Sequence, residues 1–135
     1  MARRQNDVQF SIEMDRRTFE WFNRVAPSKL KEARNKAVEA AGMVFADTAK
    51  AITTEEDHID TGLYVNSIGY STGTPSNPIY DMTSGASETN LDIGADVRYA
   101  EPLEKRYGIM ARGLDRGKER MERVAETQVK RILGL

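Results

Sequence analysis

The sequence has no cysteine, which removes structural disulfides, thiolate catalysis and cysteine-based zinc sites. It has one histidine, His58, too few for a histidine metal site within one subunit. No apolar run approaches the roughly 20 residues of a bilayer-spanning helix, and no signal-peptide core follows the N-terminus. The expectation is a soluble protein, made and used without export and with no membrane partner. A glycine-rich phosphate loop is also missing, since Gly69 and Gly73 lack the following lysine and helix. Charge of one sign is missing too: 20 basic against 21 acidic side chains leave a net charge of −1. That balance is not the footprint of a dedicated nucleic-acid binder.

The charge that is present is unevenly placed. Residues 1–34 carry +3, residues 35–111 carry −7 and residues 112–135 carry +3. Such a split suits a protein whose two faces meet different protein surfaces, and it also suits charged helices flanking acidic loops. At 135 residues the chain is expected to form one domain, 1–135, with enough surface to bury that it needs no staple.

Residues 1–7 are polar and basic and read as a mobile arm. Val8, Phe10, Ile12 and Met14 alternate with polar residues, the pattern of a strand with one buried face. Asp15 has the chemistry of an N-cap for a short helix with Phe19, Phe22 and Val25 on one line. Trp21 lies off that line, as an interface anchor or on a second buried face. Pro27 and Ser28 restart the helix. From Leu30 through Ala37, Val38, Phe45 and Ile52 one apolar face persists to about Thr53, a helix of roughly 39 Å. Charges such as Lys31, Arg34, Glu39 and Lys50 are expected mostly outside that face.

The chain turns a corner at I-D-T-G-L-Y-V-N-S-I, Ile59 to Ile68. Asp60, Thr61 and Gly62 are turn residues, with Gly62 suited to positive φ. The acidic run Glu55, Glu56 and Asp57 reads as a solvated loop, and His58 as a surface residue. Tyr64 to Tyr70 then reads as a strand. Residues 72–89 are rich in Ser, Thr, Gly, Pro and Asn, with Ile79, Tyr80 and Met82 midway. They read as an extended flap whose apolar residues are candidate anchors on a neighbouring subunit or partner. Leu91 to Val97 alternates as a strand, and Tyr99 to Gly108 reads as a short helical turn. Gly113 and Gly117 bracket a loose segment, and a last helix is expected from about Asp115. The fold class is therefore α+β. A long helix and a C-terminal helix should pack on a small, mostly antiparallel sheet with an extended hairpin flap.

Asp-Thr-Gly also surrounds the catalytic carboxylate of aspartic proteases, where two such loops share a proton. A homodimeric aspartic protease built on Asp60, Thr61 and Gly62 is thus the alternative reading. It fits poorly, because about forty mainly helical residues precede the motif and Asp60 follows E-E-D-H-I rather than an apolar strand. Ser67 has only His58 as a conceivable base and no third group. Glu101 and Glu104 sit beside Lys105 and Arg106 and read as surface pairing. These residues indicate no catalytic site, no metal site and no cofactor.

The order of features resembles the tail-completion, or head–tail joining, neck proteins of long-tailed phages. A short strand and helix lead to a long Ala-rich helix. Asp60, Thr61, Gly62, Ser67 and Ile68 follow, and then a variable hairpin. Ile93, Gly94, Val97, Tyr99 and Ala100 come next, then Glu104, Tyr107 and Gly108, with Arg112 and Leu114 before a terminal helix. Tyr64 departs from the family's usual Leu. Lys105 and Arg106 separate Glu104 from Tyr107, and glycines replace prolines around Arg112. The resemblance implies a non-enzymatic virion protein, assembled in the host cytoplasm into a neck or tail ring. Its partners would be copies of itself, with a hexamer as one form, and the other neck, connector and tail proteins. It implies no sequence-specific contact with nucleic acid.

Overall fold

The computed structural model describes residues 8–10, 15–17, 20, 27–59 and 61–135. The expected arm at 1–7, the strand residues 11–14, the Phe19, Phe22 and Val25 line, Trp21, and Asp60 lie outside the described residues. Asp15 caps as its chemistry suggests: its carboxylate accepts the Arg17 N–H at 3.0 Å.

The fold is α+β, with long helices packed on a small antiparallel sheet. Strand β1 is Val8–Phe10 and helix α1 is Pro27–Glu55. A five-residue helix, α2, is Leu63–Ser67. Strands β2, Pro78–Ser84, and β3, Thr89–Ala95, form a hairpin, and helices α3, Ala100–Tyr107, and α4, Ile109–Leu133, complete the described chain. The sheet order is β1-β3-β2, with both neighbours antiparallel to β3.

Helix α1 is the post of the structure. Leu30, Val38, Phe45 and Ile52 are fully buried, as their spacing predicts. One side of α1 meets Leu91, Ile93 and Ala95 of β3, and another meets α4 through Met110 and Met121. The start of α4 corrects the sequence expectation. Gly113 and Gly117 are not the brackets of a loose segment but positions inside the helix, buried against α1. A Cβ on Gly113 would stand 3.3 Å from the Ala49 Cβ and 3.4 Å from Phe45 Cε1, and one on Gly117 3.2 Å from Thr48 Oγ1. The missing side chains set the close approach of the two helices, and this outweighs glycine's cost of about 1 kcal/mol in a helix.

Two further expectations change. Tyr64–Tyr70 is not a strand: Leu63–Ser67 is helical, and Tyr64, Ser67 and Ile68 are buried at the i, i+3, i+4 spacing of one helix face. The expected flap is largely a regular hairpin, because every residue from Pro78 to Ser84 has a partner on β3. Its tip is Gly85 to Glu88, closed by the Gly85 N–H donating to the Glu88 carbonyl at 2.8 Å.

Candidate functional site

The candidate site is the corner where α1 ends. It is assembled from four separate stretches of chain. Asp57 takes a positive φ of 55° after the last turn of α1, and the His58 N–H returns to the Thr53 carbonyl at 2.9 Å. Gly62 has φ 88°, the left-handed conformation expected of it. The Thr61 hydroxyl oxygen accepts the Leu63 N–H at 3.2 Å, so Thr61 braces the turn into α2. Asp60 lies outside the described residues.

Below this turn sits Lys50, on the buried face of α1. Its ammonium donates to the Val65 carbonyl at 3.0 Å, the Tyr70 carbonyl at 2.8 Å and the Thr72 hydroxyl at 2.9 Å. It also lies 4.3 Å from the centroid of the Tyr70 ring. Burial lowers its pKa to about 8, with the Asp47 carboxylate pulling the other way. Tyr70 donates its hydroxyl hydrogen to that same Asp47 carboxylate. Ser67 ties α2 to the hairpin: its hydroxyl donates to the Leu63 carbonyl and accepts the Asn77 N–H, the latter at 2.7 Å. The Gly69 N–H reaches the Gly94 carbonyl at 2.9 Å, fixing the corner to β3.

The other wall comes from the α3–α4 elbow. Glu104 is not paired on the surface with its basic neighbours as the sequence suggested. Its carboxylate accepts the Met110 N–H at 2.6 Å and the Ala111 N–H at 3.1 Å, which caps the first turn of α4. Arg112 donates from Nε to the Tyr107 carbonyl at 2.9 Å and from both terminal nitrogens to the two oxygens of Glu56. This fork-to-fork pair holds the Glu56 carboxyl down to about 2, with the His58 hydrogen bond helping. Arg116 adds a 3.0 Å bond to Glu55. The acidic run read as a solvated loop is thus partly engaged: Glu55 and Glu56 bind the elbow. His58 is a packing residue, 84 % covered on its side chain and stacked on Tyr107 with ring centroids 3.7 Å apart.

Between the walls lies a cavity of about 250 Å³ lined by His58, Ile59, Gly62, Tyr64, Val65, Tyr99 and Leu103. Tyr64 is 97 % buried, and burial raises its phenol pKa well above the usual value. Ile59 and Tyr99 on the rim are 42 % and 36 % exposed and, with Leu135, are the most exposed large apolar side chains among the described residues. The sequence signal for Tyr99 was its place at the end of a strand. Ile59 carried no signal beyond being apolar beside a turn.

Ile79, Tyr80 and Met82 are elsewhere, on β2. The expected flap is here a paired strand that holds all three, and its tip is Gly-Ala-Ser-Glu. Ile79 is buried, whereas Tyr80 and Met82 are half-buried and pack on the core beside Ile93 and Leu91. Arg34 and Asn35 of α1 hold the end of this hairpin. Arg34 donates to the Thr89 hydroxyl at 3.1 Å and the Gly85 carbonyl at 2.6 Å. The Asn35 side-chain oxygen accepts from Ser84 and Thr89 at 2.8 Å and 2.6 Å. Among the described residues, no three His, Cys, Asp or Glu side chains gather closely enough to hold a metal ion. No described helix is long and apolar enough to cross a membrane. No protein-family model, no curated protein and no solved structure matches this chain.

Proposed function

We propose that this chain is a structural virion protein of the neck or tail of a long-tailed phage. In this reading it is a subunit of a homo-oligomeric ring that helps join the tail to the head connector. One observation carries the reading. The residues that give the sequence its resemblance to tail-completion proteins run from Asp60 to Leu114, and several of those described between Thr61 and Arg112 are tied together around one corner. Gly62 makes the turn, Ser67 ties α2 to the hairpin, and Gly94 accepts from Gly69. Glu104 caps α4, and Arg112 locks the elbow to Glu56. Residues with such connected structural roles have a physical reason to occur in a fixed order. The apolar rim formed by Ile59 and Tyr99 supports an assembly role, because exposed apolar anchors beside a cavity suit a contact surface.

The partners under this reading are copies of the chain and the neighbouring neck, connector and tail proteins. The test is to purify virions, quantify the protein by mass spectrometry and locate it by antibody labelling. The expected result is a fixed copy number per particle, with label at the head–tail junction, and separate heads and tails when the protein is withheld. Virions that lack the protein, or joined particles at normal yield without it, would refute the proposal.

A further inference from the structure

We propose that the cavity at the corner binds a small neutral molecule, an apolar ring carrying a carbonyl or ether oxygen, and that Tyr64 donates its hydroxyl hydrogen to that oxygen. The site is independent of the neck reading, and either can fail alone.

Tyr64 is 3 % exposed, and its hydroxyl has no hydrogen-bond partner among the described residues. Buried side-chain polar atoms in folded proteins nearly always have one. A buried hydroxyl left without a partner destabilises the chain that carries it, and phenylalanine would fill the same space without that cost. Tyr64 also lines the cavity of about 250 Å³, so a guest there meets this residue.

The rest of the lining sets the chemistry of the guest. Ile59, Val65 and Leu103 supply apolar surface, and Tyr99 supplies an aromatic ring. His58 Nε2 is already engaged by the Glu56 carboxylate at 3.1 Å. A buried water needs two to four polar partners, more than these side chains offer. Burial first, and the Glu104 carboxylate second, raise the Tyr64 pKa well above the usual phenol value, so the group stays a neutral donor. The same two influences disfavour an anionic guest. An ammonium would leave the hydroxyl hydrogen without an acceptor. A neutral oxygen acceptor on an apolar body satisfies both the hydroxyl and the walls.

Size and rigidity agree with a guest of this kind. A dry cavity of about 150 Å³ is enough to take up benzene. This one has room for a six-membered ring and a short carbonyl substituent. Its walls are held from behind. The Lys50 ammonium donates to the Val65 carbonyl at 3.0 Å, the Thr61 hydroxyl accepts the Leu63 N–H at 3.2 Å, and His58 stacks on Tyr107. A site formed in advance loses little affinity to ordering.

The experiment is isothermal titration calorimetry and methyl NMR on the purified chain, with acetophenone, ethylbenzene and benzoate as probes at millimolar concentration. The first two have nearly the same shape and differ in the carbonyl. Acetophenone is expected to bind and to shift the Val65 and Leu103 methyl signals. Tyr64→Phe keeps the ring, and it should weaken acetophenone about tenfold while leaving ethylbenzene unchanged. The same variant should unfold at a temperature equal to or above that of the natural chain. Benzoate should not bind. Leu103→Trp fills the cavity and should block both neutral probes; if it fails to fold, Tyr64→Phe decides. Acetophenone that does not bind, or that binds Tyr64→Phe as tightly as the natural chain, would overturn the site. So would benzoate binding as tightly as acetophenone, or methyl shifts confined to residues away from Val65 and Leu103. A marked loss of stability in Tyr64→Phe would show that the hydroxyl already has a partner and would overturn it too. Each of these failures leaves the neck reading standing.

Discussion

Arg34 and Lys50 are both buried cations on helix α1, and both direct their hydrogen bonds to carbonyls and hydroxyls of distant segments rather than to carboxylates. Arg34 holds the end of the β2–β3 hairpin, and Lys50 holds the corner after Gly62. They differ in what their acceptors can do without them. The Thr89 hydroxyl that meets Arg34 is shared with Asn35, and the Gly85 carbonyl belongs to an exposed residue. The Val65 and Tyr70 carbonyls that meet Lys50 belong to half-buried residues that converge on that one ammonium. A polar clamp matters in proportion to how poorly water can replace it.

The largest effect is expected between the clamps. Phe45→Ala empties the centre of α1's buried face and should cost about 3–5 kcal/mol. Urea unfolding should show it, and hydrogen exchange should rise at the corner and at the hairpin alike. A change confined to one of them would mean that the core does not couple the two clamps.

Lys50→Met comes next. It keeps the aliphatic stem but strands the three acceptors, and a loss of about 2–3 kcal/mol is expected. Amides of residues 63–72 should exchange faster while those of β2 keep their protection. Arg34→Met should cost only about 1 kcal/mol, since the exposed Gly85 carbonyl can turn to water and the Thr89 hydroxyl keeps its own bond to Asn35. Equal losses at the two positions would break the comparison.

Alkaline pH separates the clamps by sign. Lys50 titrates at about 8 in the folded chain against 10.5 for an unperturbed lysine. Between those values the unfolded chain holds the proton more often than the folded chain does. Its contribution to stability therefore rises with pH across that window. The urea midpoint of the natural chain, with that of Lys50→Met subtracted, should climb from pH 8 to pH 10.5. Arg34 keeps its proton throughout, so the corresponding difference for Arg34→Met should be flat in this respect.

The smallest effect belongs to the exposed pair of Glu56 and Arg112. Glu56 is held at about 2 against an ordinary 4.5, so its contribution is complete above 4.5 and is lost as pH falls toward 2. Glu56→Gln should flatten that part of the acid limb, and added salt should shrink the difference.

Helix α1 was legible because 29 residues repeat one signal: the apolar spacing of Leu30, Val38, Phe45 and Ile52 admits one answer. β3 was legible through its alternation, although the observed strand is Thr89–Ala95 rather than Leu91–Val97 and its last three residues are all buried. Arg34 and Lys50 were misplaced outside the buried face. Periodicity scores charge as surface, and only the distant segments folded over them show why they are inside. The five residues of α2 span little more than one turn, so Tyr64, Ser67 and Ile68 could not outweigh the β-favouring Tyr and Val among them. Gly113 and Gly117 suggest a loose segment because a sequence does not display Ala49 and Phe45 waiting across the seam. At the site, the turn at Thr61 and Gly62 was visible locally. Its lock, Arg112 on Glu56, joins positions too far apart for any spacing rule.

The packing of α4 on α1 also sets the order of events in time. Roughly fifty residues separate the end of one helix from the start of the other, so their contact must close a long loop. The β2–β3 hairpin, by contrast, closes across four residues, Gly85 to Glu88. Local pairing comes first and the helix seam later. During translation the face of α1 around Phe45 and Ala49 leaves the ribosome long before Gly113 exists to cover it. The nascent chain therefore passes through an interval in which this apolar face has no lid.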